Sequence, residues 1–510
     1  IRDLNLSLEN IDQFSTQLSD AQRKQYKAEL RFIRAFVYFE LVKRMGGVPI
    51  VTTQLIYDFS GDPTPLQVAR AKEYEVYDFI YKELEEIKED LAVYNASKTR
   101  ANKYTALALE SRAMLYAASI AKYNNLMASP ITTAGGEVGI PANMATGYYT
   151  KSLAASKEIM NGPYALYNEN ADKGANFYDM LNKKTGAEVI FAKDFVTSLK
   201  VHRFAYDNIV RSLTEDNESS STISPSLSLV ESFDYLDGSK GTLHDKNGAG
   251  NYVAYQNIND IFANKDARLF GTVIYPGTSF RGRAVSIQAG VATWGANGAY
   301  QFTAAPQLGQ NYASGGLWTG FDGPLYDAQD VSNTGFYIRK FVSDAPAAST
   351  RGTSAANWWP WFRLGEIYLN ASEAAFELGQ TVDARTYVNK LRERAGFPAN
   401  SISNLTMDII RNERRVELAF EDHRYYDLKR WRIAHLVWDG SENDPNAVVY
   451  GLYAYRVVRP GHADDGKYIY ERVRPARFRK ARFFRMANYY ASISQDVINK
   501  NPKIVRNPFH

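Results

Sequence analysis

Apolar residues recur with a helical period near the start of the chain. In the first long helix they fall on two neighbouring stripes, made of Tyr26, Leu30, Ile33 and Val37 and of Phe32, Phe36 and Phe39. Two apolar stripes predict a helix that is covered on two sides, as in stacked helix pairs. Ser19 followed by Gln22 forms a capping-box pattern that predicts the start of this helix. Gly46 and Gly47, followed by Pro49, predict its end.

The same period predicts helices on both sides of a long middle region. They are expected at about 72–92, 101–123, 148–161, 358–378, 383–395 and 406–421. Residues 361–368 fit the opening W-x2-L-G-x2-Y of the tetratricopeptide consensus, but the remainder of that consensus is not met. These segments predict a mainly α protein, with a tetratricopeptide-like helical-repeat scaffold at about 15–165 and 358–432.

The middle region, about 166–357, lacks this period and predicts a loop-rich insertion with short strands. Its stretch from Gly271 to Tyr326 holds eleven glycines and nine aromatic residues but only three charged residues. Long loops inside a compact protein are usually functional or disordered, and so many large aromatics argue against disorder. We expect this insertion to carry a binding site, and we expect an irregular C-terminal segment over 433–510.

Composition excludes several classes of protein. The 510 residues are 45% hydrophobic and 23% charged, which is ordinary for a globular protein and unlike a disordered or fibrous one. No apolar run reaches the roughly 18 residues that span a bilayer. Cysteine is absent, so disulfides and thiolate metal sites are excluded. The six histidines form no pair at helical spacing, and we expect no metal site and no cofactor.

The net charge of +4 comes from one stretch near the C-terminus. Seven basic residues and no acidic ones lie between Arg472 and Arg485. Most of them alternate with other residues, which favours an ion-paired or solvated strand face. The other interpretation is a patch for an acidic glycan, a lipid headgroup or nucleic acid. Because the rest of the chain is acidic on balance, we expect no nucleic-acid partner.

One pair of glutamates resembles a catalytic pair. Glu413 and Glu417 are spaced i,i+4 on a predicted helix, so their side chains start roughly 5–6 Å apart. A retaining glycosidase needs two carboxyl groups about 5–5.5 Å apart, but they must flank the scissile bond from different sides. Arg411, Arg414 and Arg415 would also keep both glutamates ionised, whereas a general acid needs a raised pKa. The pattern therefore favours a structural ion-pair network, and we expect no catalytic residue.

The aromatic loops offer better candidates for ligand binding. Sugar rings present apolar C–H faces bordered by hydroxyl groups, and they suit exposed Trp or Tyr rings beside polar side chains. The candidates are Trp294, Asn297, Tyr300, Tyr275 and Trp318, with Arg281 and Arg283 as donors to hydroxyls or a carboxylate. The alternative is that these aromatics pack small cores under their own loops.

Several stretches resemble one family. The run from Arg31 to Pro49, RFIRAFVYFELVKRMGGVP, closely resembles the N-terminal signature of the SusD/RagB proteins, the surface glycan-binding lipoproteins of Bacteroidetes polysaccharide-utilisation systems. Residues 361–375 and 410–431 resemble two further family motifs, and residues 499–510 resemble the usual terminus. Asp422 departs from the pattern, because a glycine often stands there.

The resemblance implies a non-enzymatic protein with one SusD-like domain over 1–510 and a ligand site in irregular loops. It implies a TonB-dependent SusC-like transporter as partner, and a cell-surface place on the outer membrane through an N-terminal lipid anchor that this chain does not contain. Family sites tend to use the loop after the first signature, which here holds Tyr57, Asp58 and Phe59. The glycan's identity stays open, and so does the alternative of a peptide-import component of the RagB type, which would bind extended peptide through backbone hydrogen bonds.

Overall fold

The computed structural model describes residues 1–92, 98–216, 221–325, 329–478 and 480–510. Its α-helices are α1 (Arg2–Phe14), α2 (Asp20–Met45), α3 (Glu73–Ile87), α4 (Lys103–Asn125), α5 (Ala145–Met160), α6 (Lys173–Asn182), α7 (Phe204–Asn208), α8 (Leu227–Val230), α9 (Arg268–Thr272), α10 (Leu364–Glu377), α11 (Thr381–Arg394), α12 (Met407–Glu417), α13 (Arg424–Arg430), α14 (Ala434–Val437) and α15 (Gln495–Lys500). Its strands are β1 (Val189–Lys193), β2 (Val273–Ile274), β3 (Ser279–Phe280), β4 (Arg283–Ala284), β5 (Gln288–Trp294), β6 (Tyr300–Thr303), β7 (Tyr337–Ile338), β8 (Trp359–Arg363), β9 (Gly451–Val458) and β10 (Tyr468–Val473).

The scaffold is built from helices that pack on their neighbours in the chain, with α10 joining the N-terminal helices to the later ones. Helix α2 packs on α1 and α3, α4 packs on α5, and α10 packs on α5, α11 and α12. Helix α4 is buried on nearly all sides, and its small residues Ala106, Ala113 and Ala117 let the surrounding helices approach closely. These packed pairs confirm the predicted mainly α, tetratricopeptide-like scaffold.

The predicted ends of helix α2 are confirmed. The Ser19 hydroxyl accepts a hydrogen bond from the Gln22 amide at 3.3 Å, and the Gln22 side chain accepts one from the Ser19 amide at 2.9 Å. At the other end Gly46 has a φ of +74°, which favours glycine. A Cβ atom at Gly46 would also lie only 2.8 Å from the carbonyl oxygen of Glu137, so this turn requires a glycine.

The predicted helix over 358–378 is wrong in its first turn and a half. Residues Trp359–Arg363 form strand β8, which pairs antiparallel with β1, and the helix begins only at Leu364. Bulky aromatic side chains favour a strand, and Pro360 lacks the amide hydrogen that a helix interior needs. The apolar period does not predict helices α1, α6 and α13, nor the short helices α7, α8, α9, α14 and α15.

A mixed four-stranded sheet joins the middle region to the C-terminal segment. Its strand order is β10-β9-β5-β6, with β5 parallel to β9 and the other pairs antiparallel. The segment 433–510, which the sequence predicts to be irregular, therefore supplies two strands, β9 and β10. Ala292, Tyr455 and Ile469 pack in a small core against this sheet.

In the part of the chain that the structure describes, no helix combines the length and the apolar character needed to cross a membrane.

Candidate ligand-binding surface

The hairpin of β5 and β6 brings three of the predicted site residues together. Trp294 and Tyr300 are register partners across the two strands, and their rings meet edge to face with centroids 4.9 Å apart. The Trp294 side chain remains 42% exposed. Asn297 lies in the connecting turn, where its Oδ1 atom accepts a hydrogen bond from the Ala299 amide at 3.3 Å. An exposed indole next to an amide side chain is the arrangement that the sequence predicts here.

Arg459, which no sequence pattern indicates, covers Trp294. Its guanidinium carbon lies 3.9 Å from the centroid of the indole ring, in a cation–π contact. The Arg459 amide donates a hydrogen bond to Asp465 at 2.7 Å and so holds its own loop. Arg459 follows strand β9, and the parallel pairing of β9 with β5 places it beside Trp294. The contact fixes the ring and puts guanidinium donors beside it.

Trp318 lies next to the opposite end of strand β6. Its indole Nε1 donates a hydrogen bond to the carbonyl oxygen of Thr303 at 3.1 Å, and the Tyr312 ring packs against its edge with centroids 5.3 Å apart. Tyr300 and Thr303 are the two ends of β6, which span about 10 Å at roughly 3.3 Å per residue. Four residues, Trp294, Tyr300, Tyr312 and Trp318, together form the aromatic platform.

Two of the other candidates have structural partners elsewhere. Tyr275 packs against Phe262, with ring centroids 4.5 Å apart, in a separate hydrophobic cluster, and burial raises its pKa. The Arg281 guanidinium forms an ion pair with Glu215 at 3.1 Å and donates to the carbonyl oxygen of Ser343 at 3.0 Å. Arg281 therefore holds a neighbouring loop, and Tyr275 supports a core. Arg283 is exposed on β4.

The loop after helix α2 forms a second aromatic group. Phe59 is 88% exposed, and its ring centroid lies 5.4 Å from that of Tyr57. The Tyr57 hydroxyl accepts a hydrogen bond from the Gly61 amide at 2.6 Å. Hydrogen bonds from Ser60 lower the pKa of Asp58, which keeps this carboxylate ionised. Tyr57, Asp58 and Phe59 thus form a small exposed surface held by its own turn.

A cavity of about 530 Å³ lies between α2, β8 and α13. Aromatic side chains form much of its wall, namely Trp359, Trp361, Tyr425 and Tyr426. Trp358 is buried, whereas the two tryptophans that follow, Trp359 and Trp361, border this cavity. Burial lowers the pKa of Lys43 in the wall to about 8, although the charge of Glu40 raises it.

The glutamate pair on helix α12 is buried in an ion-pair network, as the sequence favours. Glu417 is fully buried, and its carboxylate pairs with Arg268, Arg363 and Arg394. Burial alone would raise the pKa of Glu417, but these three positive charges hold it well below its usual range. A buried carboxylate that stays ionised cannot serve as a general acid, and Glu413 is equally buried and paired with arginines, so neither glutamate is open to a substrate.

The partners of the pair differ from those expected. Glu413 pairs with Arg268 and Arg392. Arg411 pairs with Asp408, and Arg414 pairs with Asp427. The predicted arginines lie on the same helix as the glutamates, whereas the actual partners come from other elements that converge on it.

The basic stretch from Arg472 to Arg485 is divided among several environments. Arg472, in strand β10, pairs with Glu231 at 2.6 Å and with Asp245 at 3.0 Å, and Arg474 pairs with Glu442. The ion-paired interpretation therefore applies to these two arginines. Arg479 of this stretch lies outside the described residues, as does Tyr326 of the glycine-rich stretch.

Among the described residues, no cluster of three or more His, Asp or Glu side chains has an arrangement that could hold a metal ion.

Comparison with known protein families gives matches over most of the chain. The model of the SusD family matches residues 159–510, and a model described as starch-binding associating with outer membrane matches residues 1–115. The SusD-like protein P2 of Formosa agariphila is 25% identical over 435 residues, which are 82% of this chain and 68% of that protein.

Solved structures share the fold. A SusD-like protein from Bacteroides fragilis superposes with a TM-score of 0.70 and 22% identity, covering 100% of this chain and 84% of that one. A second structure from Bacteroides fragilis, named a SusD-like carbohydrate binding protein, gives a TM-score of 0.66 and 20% identity, covering 98% and 83% of the two chains. At 22% and 20% identity, these similarities show a shared fold.

Proposed function

Because the chain belongs to the SusD family, we propose that it binds an oligo- or polysaccharide at the bacterial cell surface and does not cleave it. We also propose that the protein delivers this glycan to a SusC-like TonB-dependent transporter in the outer membrane. The description of the N-terminal family model, starch-binding associating with outer membrane, supports both the ligand class and the location. A relative of the same fold is named a carbohydrate binding protein, which supports the ligand class again.

The observation that carries the proposal is the aromatic platform at the edge of the sheet. Trp294 and Trp318 keep part of their rings accessible, and each is steadied by a second aromatic ring and by a guanidinium or a backbone hydrogen bond. Rings that are fixed before the ligand arrives lose little entropy on binding. Trp294 and Trp318 lie beside the two ends of β6, which are about 10 Å apart along the strand, so a ligand of more than one sugar unit would be needed to contact both.

The expected affinity is weak, with a Kd in the micromolar-to-millimolar range. This corresponds to about −4 to −8 kcal/mol. Stacking supplies apolar contact, but the sugar hydroxyls must give up water at an exposed site, and this cost offsets much of the gain. A weak site also releases its ligand readily to a transporter. A nanomolar Kd for a simple oligosaccharide would contradict this mechanism.

The test is affinity electrophoresis in gels that contain neutral or acidic polysaccharides. Wild type should be retarded by at least one of them, and Trp294→Ala and Trp318→Ala should each weaken the retardation about 5-fold, since one stacking contact contributes roughly 1 kcal/mol. Phe14→Ala is the matched control, because Phe14 is an exposed aromatic residue on helix α1. Incubation with the retained polysaccharide should release no reducing ends.

Two results would count against this account. Retardation that survives both tryptophan substitutions would place the site elsewhere, with Tyr57 and Phe59 tested next. No retardation by any polysaccharide would contradict glycan binding itself and favour peptide cargo.

A further inference from the structure

A second, smaller cavity lies where helices α12 and α13 meet the C-terminal segment. It has a volume of about 240 Å³, and three arginines line it, Arg415, Arg424 and Arg482. The other lining residues are Leu229, Ala419, Phe420, Val437, Trp438 and Asn446. Among the described residues that line this cavity, none is an aspartate or a glutamate.

The three arginines differ from their neighbours in lacking a carboxylate partner. Arg415 donates to the Ser228 hydroxyl at 3.0 Å, and Arg482 donates to the carbonyl oxygen of Ala447 at 3.2 Å. The nearby Asp427 is already engaged by the guanidinium groups of Arg414 and Arg430. Within the described ranges, no ion pair to an acidic side chain involves Arg415, Arg424 or Arg482.

The positive charges in this cavity repel one another. Burial is the largest cause that lowers the pKa of Arg415, to about 9, and the charges of Arg424 and Arg482 lower it further. Burial also lowers the pKa of Arg424, to about 10, against the attraction of Asp427. Uncompensated like charges that are partly removed from water are costly, and an anion in their midst would relieve that cost.

The shape and chemistry of the cavity indicate the kind of anion. Guanidinium groups bind carboxylate and sulfate oxygens in forked pairs of hydrogen bonds. The apolar wall includes the rings of Trp438 and Phe420, which suit the C–H face of a sugar. The volume is below that of sites for drug-sized ligands, so it has room for about one sugar unit.

We propose that Arg415, Arg424 and Arg482 bind the oxyanion of one acidic sugar unit, a carboxylate or a sulfate ester. This inference rests on the proposed function, which gives a carbohydrate as the ligand, and it adds that this carbohydrate is negatively charged. Phe420 and Arg424 also line the cavity of about 530 Å³ with its aromatic wall, so the two cavities are neighbours. Arg482 is thereby assigned a role within the basic stretch.

The test compares retention of three polysaccharides, polygalacturonate, dextran sulfate and neutral dextran, by wild type and by variants. Two variants are tested, the single variant Arg482→Gln and the double variant that also carries Arg424→Gln. Each should weaken retention by the acidic polysaccharide at least 10-fold. Retention by any neutral polysaccharide that binds wild type should not change. Arg2→Gln is the matched control, since it removes the same charge from an exposed position on helix α1. Circular dichroism checks that each variant is folded. If the double variant does not fold, the single Arg482→Gln variant still tests the proposal.

The outcomes separate this inference from the proposed function. Retention by polygalacturonate alone assigns a carboxylate, retention by dextran sulfate alone assigns a sulfate ester, and retention by both assigns a general oxyanion site. Wild type that binds a neutral glycan but neither acidic one overturns the inference and leaves glycan binding intact. Acidic retention that the arginine variants do not reduce also overturns it. If inorganic sulfate raises the melting temperature but no acidic glycan retains the protein, the assignment of the ligand as a sugar is overturned.

Discussion

At the scale of single residues, the buried charges follow from the need for partners in a medium of low dielectric constant. Glu417 is surrounded by Arg268, Arg363 and Arg394, at distances that include 3.0 Å to Arg268 and 2.6 Å to Arg363. Replacing a whole buried ion network with apolar residues is often neutral for stability, but removing one member leaves buried charge on its partners uncompensated. Each member is therefore required once the others are present.

Glu417→Gln is expected to lower the free energy of unfolding by about 3–5 kcal/mol, because three buried arginines lose their shared carboxylate. Urea denaturation at neutral pH measures the change. The control is Asp496→Asn, which breaks an exposed i,i+4 pair with Lys500 and should cost less than about 1 kcal/mol. Equal effects of the two substitutions would contradict the network's role.

The pH dependence of this contribution has a definite sign. The pKa of Glu417 is lower in the folded protein than in the unfolded chain, so its contribution is present above the unfolded value of about 4.5. Stability should fall as the pH is lowered below that value. In Glu417→Gln this acid-induced loss should be smaller than in wild type, which urea denaturation between pH 6 and 3 tests. An identical pH profile would show that Glu417 is not the titrating group.

The pKa of Glu110 is shifted in the opposite direction, so its effect on stability has the opposite pH dependence. Burial is the largest cause that raises its pKa, to about 9, and Glu85 adds to the shift, so the folded protein holds Glu110 protonated. Its contribution to stability is full below pH 4.5 and is lost as the pH rises toward 9. Glu110→Gln should raise the free energy of unfolding by on the order of 3 kcal/mol at pH 7 and by nothing at pH 4. A variant less stable than wild type at pH 7 would mean that this carboxyl is ionised and paired.

The candidate residues were predictable from sequence only in part. The sparse charge and many aromatics of 271–326 pointed to Trp294, Tyr300 and Trp318, and the structure places these three along one hairpin. The sequence could not distinguish Tyr275, which packs a core, because exposure depends on distant partners such as Phe262. Nor could it find Arg459, whose place beside Trp294 arises from pairing between strands far apart in the chain.

At the scale of elements, strand β5 determines where the aromatic platform lies. It pairs with β9 on one side and with β6 on the other. Gly290 permits the close approach of β6, because a Cβ atom at this position would lie 2.1 Å from the carbonyl oxygen of Thr303. The backbone spacing at this glycine therefore controls the alignment of Trp294 with Tyr300.

Gly290→Ala should displace strand β6 and weaken glycan retention at least 10-fold while leaving the helical circular dichroism signal unchanged. Affinity electrophoresis and circular dichroism together measure this. Gly147→Ala is the control, since Gly147 lies in helix α5 and its added Cβ meets open space. Unchanged retention by the Gly290 variant would show that the hairpin geometry does not matter for binding.

Helices were more predictable than strands for a physical reason. A helix is decided by neighbours within one or two turns, so the apolar period and the capping box at Ser19 were sufficient for α2. A strand is decided by its partner, and β5 meets β9 only after the chain has passed through α10 to α14. For the same reason β8 was predicted as helix, although its pairing with β1 makes it a strand.

At the scale of the whole molecule, the helical blocks form the scaffold, and the loops carry the residues that are proposed to contact ligand. The motifs that resemble the family signature, such as 31–49 and 410–431, lie in buried helices and ion networks of the scaffold. The aromatic platform lies outside the core of that scaffold, whereas Arg415 and Arg424 of the smaller cavity belong to the 410–431 motif. The side chains of the aromatic platform can therefore change without loss of the fold, which is why family motifs predict the architecture and leave the ligand open.

The most direct test of the account is a crystal structure of the protein with an oligosaccharide prepared from a polysaccharide that retards it. We expect density for sugar rings stacked on Trp294 and Trp318 along strand β6, with Arg459 within hydrogen-bonding distance of a hydroxyl. Density confined to the loop of Tyr57 and Phe59, with the aromatic platform empty, would contradict it.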